Sequence, residues 1–164
     1  MARRAVVWSA VVVAVLALCS WAGAATNASP ELSRIATEFR GGGVHETVYC
    51  SDSQADWSET LSRRHLPLYA VGFAYIGQPK VWLSPSVCAG IARVDPWAIL
   101  VFVHELIHTT GIRNERTTNC RALASERSFL QRFFGLSPDQ AQSVYDQSNA
   151  RALNEPPQYR PTSC

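Results

Sequence analysis

Lysine is almost absent from this chain. Lys80 stands alone among fifteen basic residues, and charged side chains make up only 17% of the 164 residues. The preference for arginine reads as codon usage in a GC-rich genome rather than as chemistry. So little charge beside 47% hydrophobic residues excludes a disordered chain. No heptad pattern persists, and the nine glycines and nine prolines are scattered, which excludes coiled-coil and collagen-like architectures. No two of the five cysteines are close enough for a CxxC-type knuckle, so a zinc site built from cysteine is disfavoured. The Gly41-Gly42-Gly43 run lacks the spacing and strand–helix context of a phosphate loop and reads as a turn. What remains is a length suited to one domain with a core of its own.

Residues 1–24 read as an export signal. Arg3 and Arg4 form a positive start, Ala5 to Leu18 is almost wholly apolar, and Ala22-Gly23-Ala24 supplies small residues for cleavage. A retained anchor is the alternative, because the apolar run approaches the ~20 residues that span a bilayer. A lipoprotein signal fits less well, since Leu18 precedes Cys19 where a small residue is expected. Arg3 and Arg4 are the only charged residues in the leader, so residues 25–164 carry thirteen basic and thirteen acidic side chains. The apparent basicity belongs to the leader. Nothing is left to argue for nucleic acid as a partner. No stable membrane association is expected after cleavage, and the chain is expected outside the cell.

Cys19 departs with the leader, leaving Cys50, Cys88, Cys120 and Cys164. Four cysteines in an exported chain imply two disulfides with three possible pairings. Cys50–Cys88 with Cys120–Cys164 is preferred, because each bridge then stays within one half of the chain. The second would pin a Pro-rich tail (Glu155-Pro156-Pro157-Gln158-Tyr159-Arg160-Pro161).

Local signals give an α+β plan. Ser29 and Pro30 open a helix to about Arg40, ended by the glycine run. Strands are expected over His45–Cys50, Leu68–Ile76 and Lys80–Leu83, the last two turning at Gly77-Gln78-Pro79. Asp95-Pro96 starts a helix whose stretch from Trp97 to His108 is apolar on nearly every side, and which is therefore buried. A third helix runs from Glu115 to Phe134 and stops at Gly135. Ser137-Pro138 opens a fourth, ending near Ala152. The fold class is a small antiparallel-containing sheet packed on the buried central helix, with further helices behind it.

That helix carries the chemistry, in Val103-His104-Glu105-Leu106-Ile107-His108-Thr109-Thr110-Gly111. Helical positions four apart differ by only ~40° around the axis, so both imidazoles point at one spot and can bind Zn²⁺ from one side. Glu105 is placed to hold a metal-bound water and accept its proton. Chance alone would produce such a string in roughly one chain of this length in 200. A purely structural His pair is the bland alternative, but two imidazoles and a carboxylate in an apolar helix without a metal would be costly.

These residues resemble the zincin metallopeptidases, whose hallmark is HExxH on the active-site helix. Metzincins extend the motif to HExxHxxGxxH. Here Gly111 is in register, but Asn114 stands where the third histidine belongs, and a neutral amide is a poor zinc ligand. Gluzincins take a glutamate from the next helix, often in an Asn-Glu-x-x-x-Asp pattern. Asn114-Glu115-Arg116-Thr117-Thr118-Asn119 is similar, with Asn119 replacing the aspartate. By this resemblance Glu115 is the third ligand, and Asn119, one turn later, orients a ligand from behind. Only six residues separate His108 from Glu115, fewer than gluzincins usually have, and Gly111 would allow the sharp turn. Glu126, after seventeen intervening residues, is the alternative third ligand; an absent protein third ligand is the remaining option. The chain also resembles small exported actinobacterial proteins assigned to the zinc metallopeptidases, whose substrates are mostly unknown. The shared features are Glu115, Cys120 and Ala122, the tail residues Tyr159, Arg160 and Cys164, and cysteines near Cys50 and Cys88.

The resemblance implies a secreted zinc-dependent hydrolase acting on a peptide or protein, with Glu105 as its catalytic base. Val81-Trp82-Leu83 is the candidate strand for pairing with an extended substrate. Tyr145, Tyr159 and His65 are unranked candidates for stabilising the transition state. Trp57, Trp82 and Trp97 read as core or rim. The alternative function is a degenerate zincin that keeps the metal for a binding or structural role and cleaves nothing.

Overall fold

The protein is described by a computed structural model covering residues 26–161 and 164. The expected leader, residues 1–24, lies outside the described residues. In chain order the elements are β1 (Thr26–Ala28), α1 (Pro30–Arg40), β2 (Thr47–Ser51), α2 (Gln54–Arg63), β3 (Gly72–Ala74), β4 (Lys80–Leu83), α3 (Pro85–Ala92), α4 (Pro96–Thr109), α5 (Glu115–Phe134) and α6 (Pro138–Ala152).

Among the described residues one device starts four of the six helices: a capping Ser or Asp followed by proline. It occurs at Ser29-Pro30, Ser84-Pro85, Asp95-Pro96 and Ser137-Pro138. Each cap oxygen accepts a free first-turn N–H, and the proline sits where no N–H is needed. The α3 signal at Ser84-Pro85 was as legible as the other three but is absent from the sequence-based plan. Helix α2 is the second omission. Ser53 caps it by accepting from the Asp56 N–H at 3.1 Å, and Trp57 and Leu61, four apart, form its buried face.

The four-stranded sheet has the order β1-β2-β4-β3 and is mixed. β1 runs antiparallel to β2, β2 parallel to β4, and β3 antiparallel to β4. The expected strand over residues 68–76 shrinks to Gly72–Ala74. Leu68 and Tyr69 are exposed, a turn closes from Ala70 N–H to the Pro67 carbonyl, and the Trp57 indole N–H holds the Ala70 carbonyl at 2.8 Å. The strand expected at His45–Cys50 shifts to Thr47–Ser51.

Alternation along β4 sends its side chains to two cores. Val81 and Leu83 join Val48, helix α1 and nearly all of α4 in the main core. Trp82 turns to the opposite face, where Phe73 and Tyr49 stack on it with ring centroids 5.1 Å away. Trp57 and Leu61 of α2 cover that face. From Ala98 to Thr109 every residue of α4 is buried, with the sheet and α3 to one side and α5 and α6 to the other. Close approach of α3 needs Gly90, since a Cβ there would lie 2.6 Å from the Ala98 Cβ. Two disulfides, Cys50–Cys88 and Cys120–Cys164, tie β2 to α3 and α5 to the tail. Among the described residues no single helix is long and apolar enough to cross a membrane.

Candidate metal centre

Helix α4 presents Trp97, Leu100, Val101, His104, Glu105 and His108 to a cavity of about 400 Å³. The 3.6-residue repeat puts the two histidines on one stripe, and their rings meet edge to face with centroids 4.6 Å apart. Between the helices the chain reverses through Gly111, whose φ of +100° suits glycine alone, and Asn114 then caps α5. This compact turn delivers Glu115 in only six residues. Its Oε2 lies 3.0 Å from His104 Nε2 and 3.3 Å from His108 Nε2, and the two Nε2 atoms are 2.9 Å apart.

The outer ring nitrogens fix what the inner ones can do. His108 Nδ1 is 2.7 Å from the Ile112 carbonyl, which only accepts, so Nδ1 carries the proton and Nε2 of the neutral ring is a bare lone pair. His104 Nδ1 meets Asn119 Oδ1 at 2.6 Å in the same manner. Two lone pairs and a carboxylate oxygen thus converge within 4.8 Å of one another. Like poles at this distance need a cation between them, and the N/N/O donor set suits Zn²⁺. Two nitrogens on a tetrahedral zinc lie about 3.3 Å apart, so a ring shift of a few tenths of an ångström admits the ion.

The cluster matches the gluzincin HExxH zinc geometry. No protein-family model, curated protein or solved structure matches the chain, so this assignment stands on geometry.

The site's electrostatics follow from its burial. Desolvation raises the Glu105 pKa, and Glu115 adds to the rise; the two histidines and a hydrogen bond from the Ala74 N–H oppose it. Glu115 is held down at about 2: burial pushes it upward, but with no cation bound, a proton taken up by the facing His104 and His108 rings more than offsets that. Burial lowers the His108 pKa, but with no cation bound the Glu115 carboxylate, the Ile112 carbonyl and the Glu105 charge favour a second ring proton and reverse this to a net rise; a metal ion on Nε2 takes that proton's place. Gly72 makes room for Glu105, because a Cβ there would stand 3.2 Å from Glu105 Cγ, Leu83 Cδ2 and Val101 Cγ1.

Other expectations resolve differently. Glu126 is not in the cluster: it lies eleven residues beyond Glu115, fully buried, 2.5 Å from Ser148 on α6. The candidate rim strand Val81-Trp82-Leu83 is flanked on both sides, by β2 and β3, so its ladder is filled. β3 is an edge strand, and its residues line the cavity. Of the three candidate stabilisers only Tyr159 lines the cavity. Tyr145 packs at the edge of the main core under Arg127, and His65 sits beyond the end of α2. Trp57 and Trp82 are core, whereas Trp97 lines the cavity with Arg151 over its ring at 4.1 Å. The sequence reading missed Gly72, the Ala74 N–H, the Ile112 carbonyl and the tail residues Glu155 and Pro156. Backbone partners leave no side-chain signature, and the tail is some forty residues from the motif.

Proposed function

We propose that this protein is an exported zinc metallopeptidase that cuts extended peptides. The carrying observation is the convergence of His104, His108 and Glu115 within 4.8 Å at the floor of an open cavity, beside the buried Glu105. Zn²⁺ held by those three would acidify a water and polarise the scissile carbonyl. Glu105 takes the proton of the attacking water and passes it to the leaving amine. Tyr159 is the proposed donor to the developing oxyanion. Burial and the charges of Glu115 and Glu105 raise its pKa, so the phenol keeps its proton. The open edge of β3 supplies main-chain groups for an extended substrate, and Val71, Leu100, Val101 and Trp97 favour an apolar side chain there. Removal of residues 1–24 and export complete the reading, supported by two disulfides in so small a domain.

The test joins metal analysis to turnover. Purified protein should carry one zinc per chain and cut members of a broad peptide library, with cleavage abolished by chelator. Glu105→Gln should keep the zinc and lose about 10²–10⁴-fold in kcat. A zinc-loaded wild type that cuts nothing, or cuts as well as Glu105→Gln, would establish a metal-binding protein without catalysis.

A further inference from the structure

The tail after α6 returns to the metal centre and grips the one helical turn that matters there. Arg116 donates to the Pro157 carbonyl at 3.0 Å, Asn119 Nδ2 to the Tyr159 carbonyl at 2.6 Å, and Cys120 is bridged to Cys164. The tail is itself a compact turn, with the Tyr159 and Arg160 N–H groups both bonded to the Pro156 carbonyl. Glu155, Pro156 and Tyr159 form one wall of the cavity.

Asn119 joins these contacts to the metal site. A backbone carbonyl can only accept, so the Asn119 atom facing Tyr159 must be the NH₂ group. The amide oxygen is thereby turned to His104 Nδ1, which must carry its proton there, and His104 Nε2 is left bare toward the metal position. The tail carbonyl therefore dictates the amide's orientation, and the amide dictates the histidine's tautomer. A carboxylate at position 119 could accept from His104, but it would set an anionic oxygen against the Tyr159 carbonyl. The departure from the Asn-Glu-x-x-x-Asp pattern has a physical reason: only an amide serves both neighbours.

We infer that residues 155–161 are a working part of the metal site, coupled to zinc through the two-ended Asn119 amide. The inference rests on the zinc-binding reading above but not on catalysis. By thermodynamic reciprocity, zinc tightens the tail and the tail tightens zinc.

The experiment measures zinc affinity by chelator competition and tail protection by hydrogen exchange. Asn119→Ala should weaken zinc by about 10–100-fold, as loss of a ligand's outer partner does. A chain ending at Asn154 and carrying Cys120→Ser should bind zinc about 3–10-fold more weakly than wild type. In the Asn119→Ala background the same truncation should change affinity less than about twofold, because its route to the metal is already gone. Asn119→Asp, full length with both disulfides, should retain zinc while exchange at the Tyr159 and Arg160 amides accelerates about tenfold or more, which keeps the test independent of the truncation's folding. Equal zinc affinity with and without the tail, additive losses in the double variant, or an undisturbed tail in Asn119→Asp would each overturn the inference. A wild type that binds no zinc sinks the functional reading itself; one that binds zinc but ignores its tail sinks only this coupling.

Discussion

Glu126→Gln should stabilise this protein, and the gain should grow as pH rises. Glu126 is fully buried, and its Oε1 lies 2.5 Å from Ser148 Oγ, which is also 2.9 Å from the Pro96 carbonyl. Ser148 has one hydroxyl proton, and the Pro96 carbonyl can only accept. If that proton goes to Pro96, the bond to Glu126 needs a proton from the carboxyl. Glu126 is then a neutral acid, which agrees with burial pushing its pKa up to about 8. The folded state therefore keeps a proton that the unfolded chain, near 4.5, gives up. Stability from this group is complete below pH 4.5 and is lost as pH rises from there through 8. The loss relative to low pH is about 1 kcal/mol at pH 5, about 3 kcal/mol at pH 7 and about 4 kcal/mol at pH 8. Glutamine keeps the shape and a donor for Ser148 without a titrating proton. Differential scanning calorimetry of both proteins, with zinc and with chelator, should show Tm curves that converge near pH 5. At pH 7 they should lie about 10 °C apart. Parallel curves, or a less stable glutamine variant at pH 8, would refute a neutral Glu126. Lost zinc in this variant would return Glu126 to candidacy as a ligand.

Two further expectations come from packing and covalent structure. Gly72→Ala forces a methyl against Glu105 Cγ, so kcat should fall with zinc affinity unchanged; equal losses in both would mean that the whole α4 face had shifted. Replacing Cys50 and Cys88 by serine opens a link across 38 residues, and the chain-entropy relation gives a cost of ~4 kcal/mol. Urea denaturation measures it, and a loss under ~1 kcal/mol would show that β2 and α3 are already constrained without the bridge.

How much of this was legible in the sequence depended on the range of the forces involved. The Ser/Asp–Pro caps, the apolar α4 stretch and the His104–Glu105–His108 spacing act within a few residues, so they could be read directly. Glu115 was separable from Glu126 only as a preference, because helical periodicity puts both on one side of α5. The turn at Gly111 brings Glu115 into the cluster and the Ser148 contact holds Glu126 outside it, and both are tertiary. The parallel β2–β4 pairing is a long-range match with no local signal, and it is what moved the free edge from Val81-Trp82-Leu83 to Gly72–Ala74. The tail's part in the site was invisible for a different reason: the Tyr159 group that Asn119 engages is a main-chain carbonyl, which every residue type carries.

The three tryptophans of the described chain divide between two environments, and this gives the protein a built-in optical probe. Trp57 and Trp82 are locked in the aromatic stack on the far side of the sheet, 1% and 7% exposed. Their emission and near-ultraviolet circular dichroism report whether the sheet is intact. Trp97 alone looks into the cavity, beneath the Arg151 guanidinium. A quenching or blue shift that leaves the circular dichroism unchanged therefore registers a molecule entering the cleft. Binders can be screened by light alone, before any cleavable peptide is known.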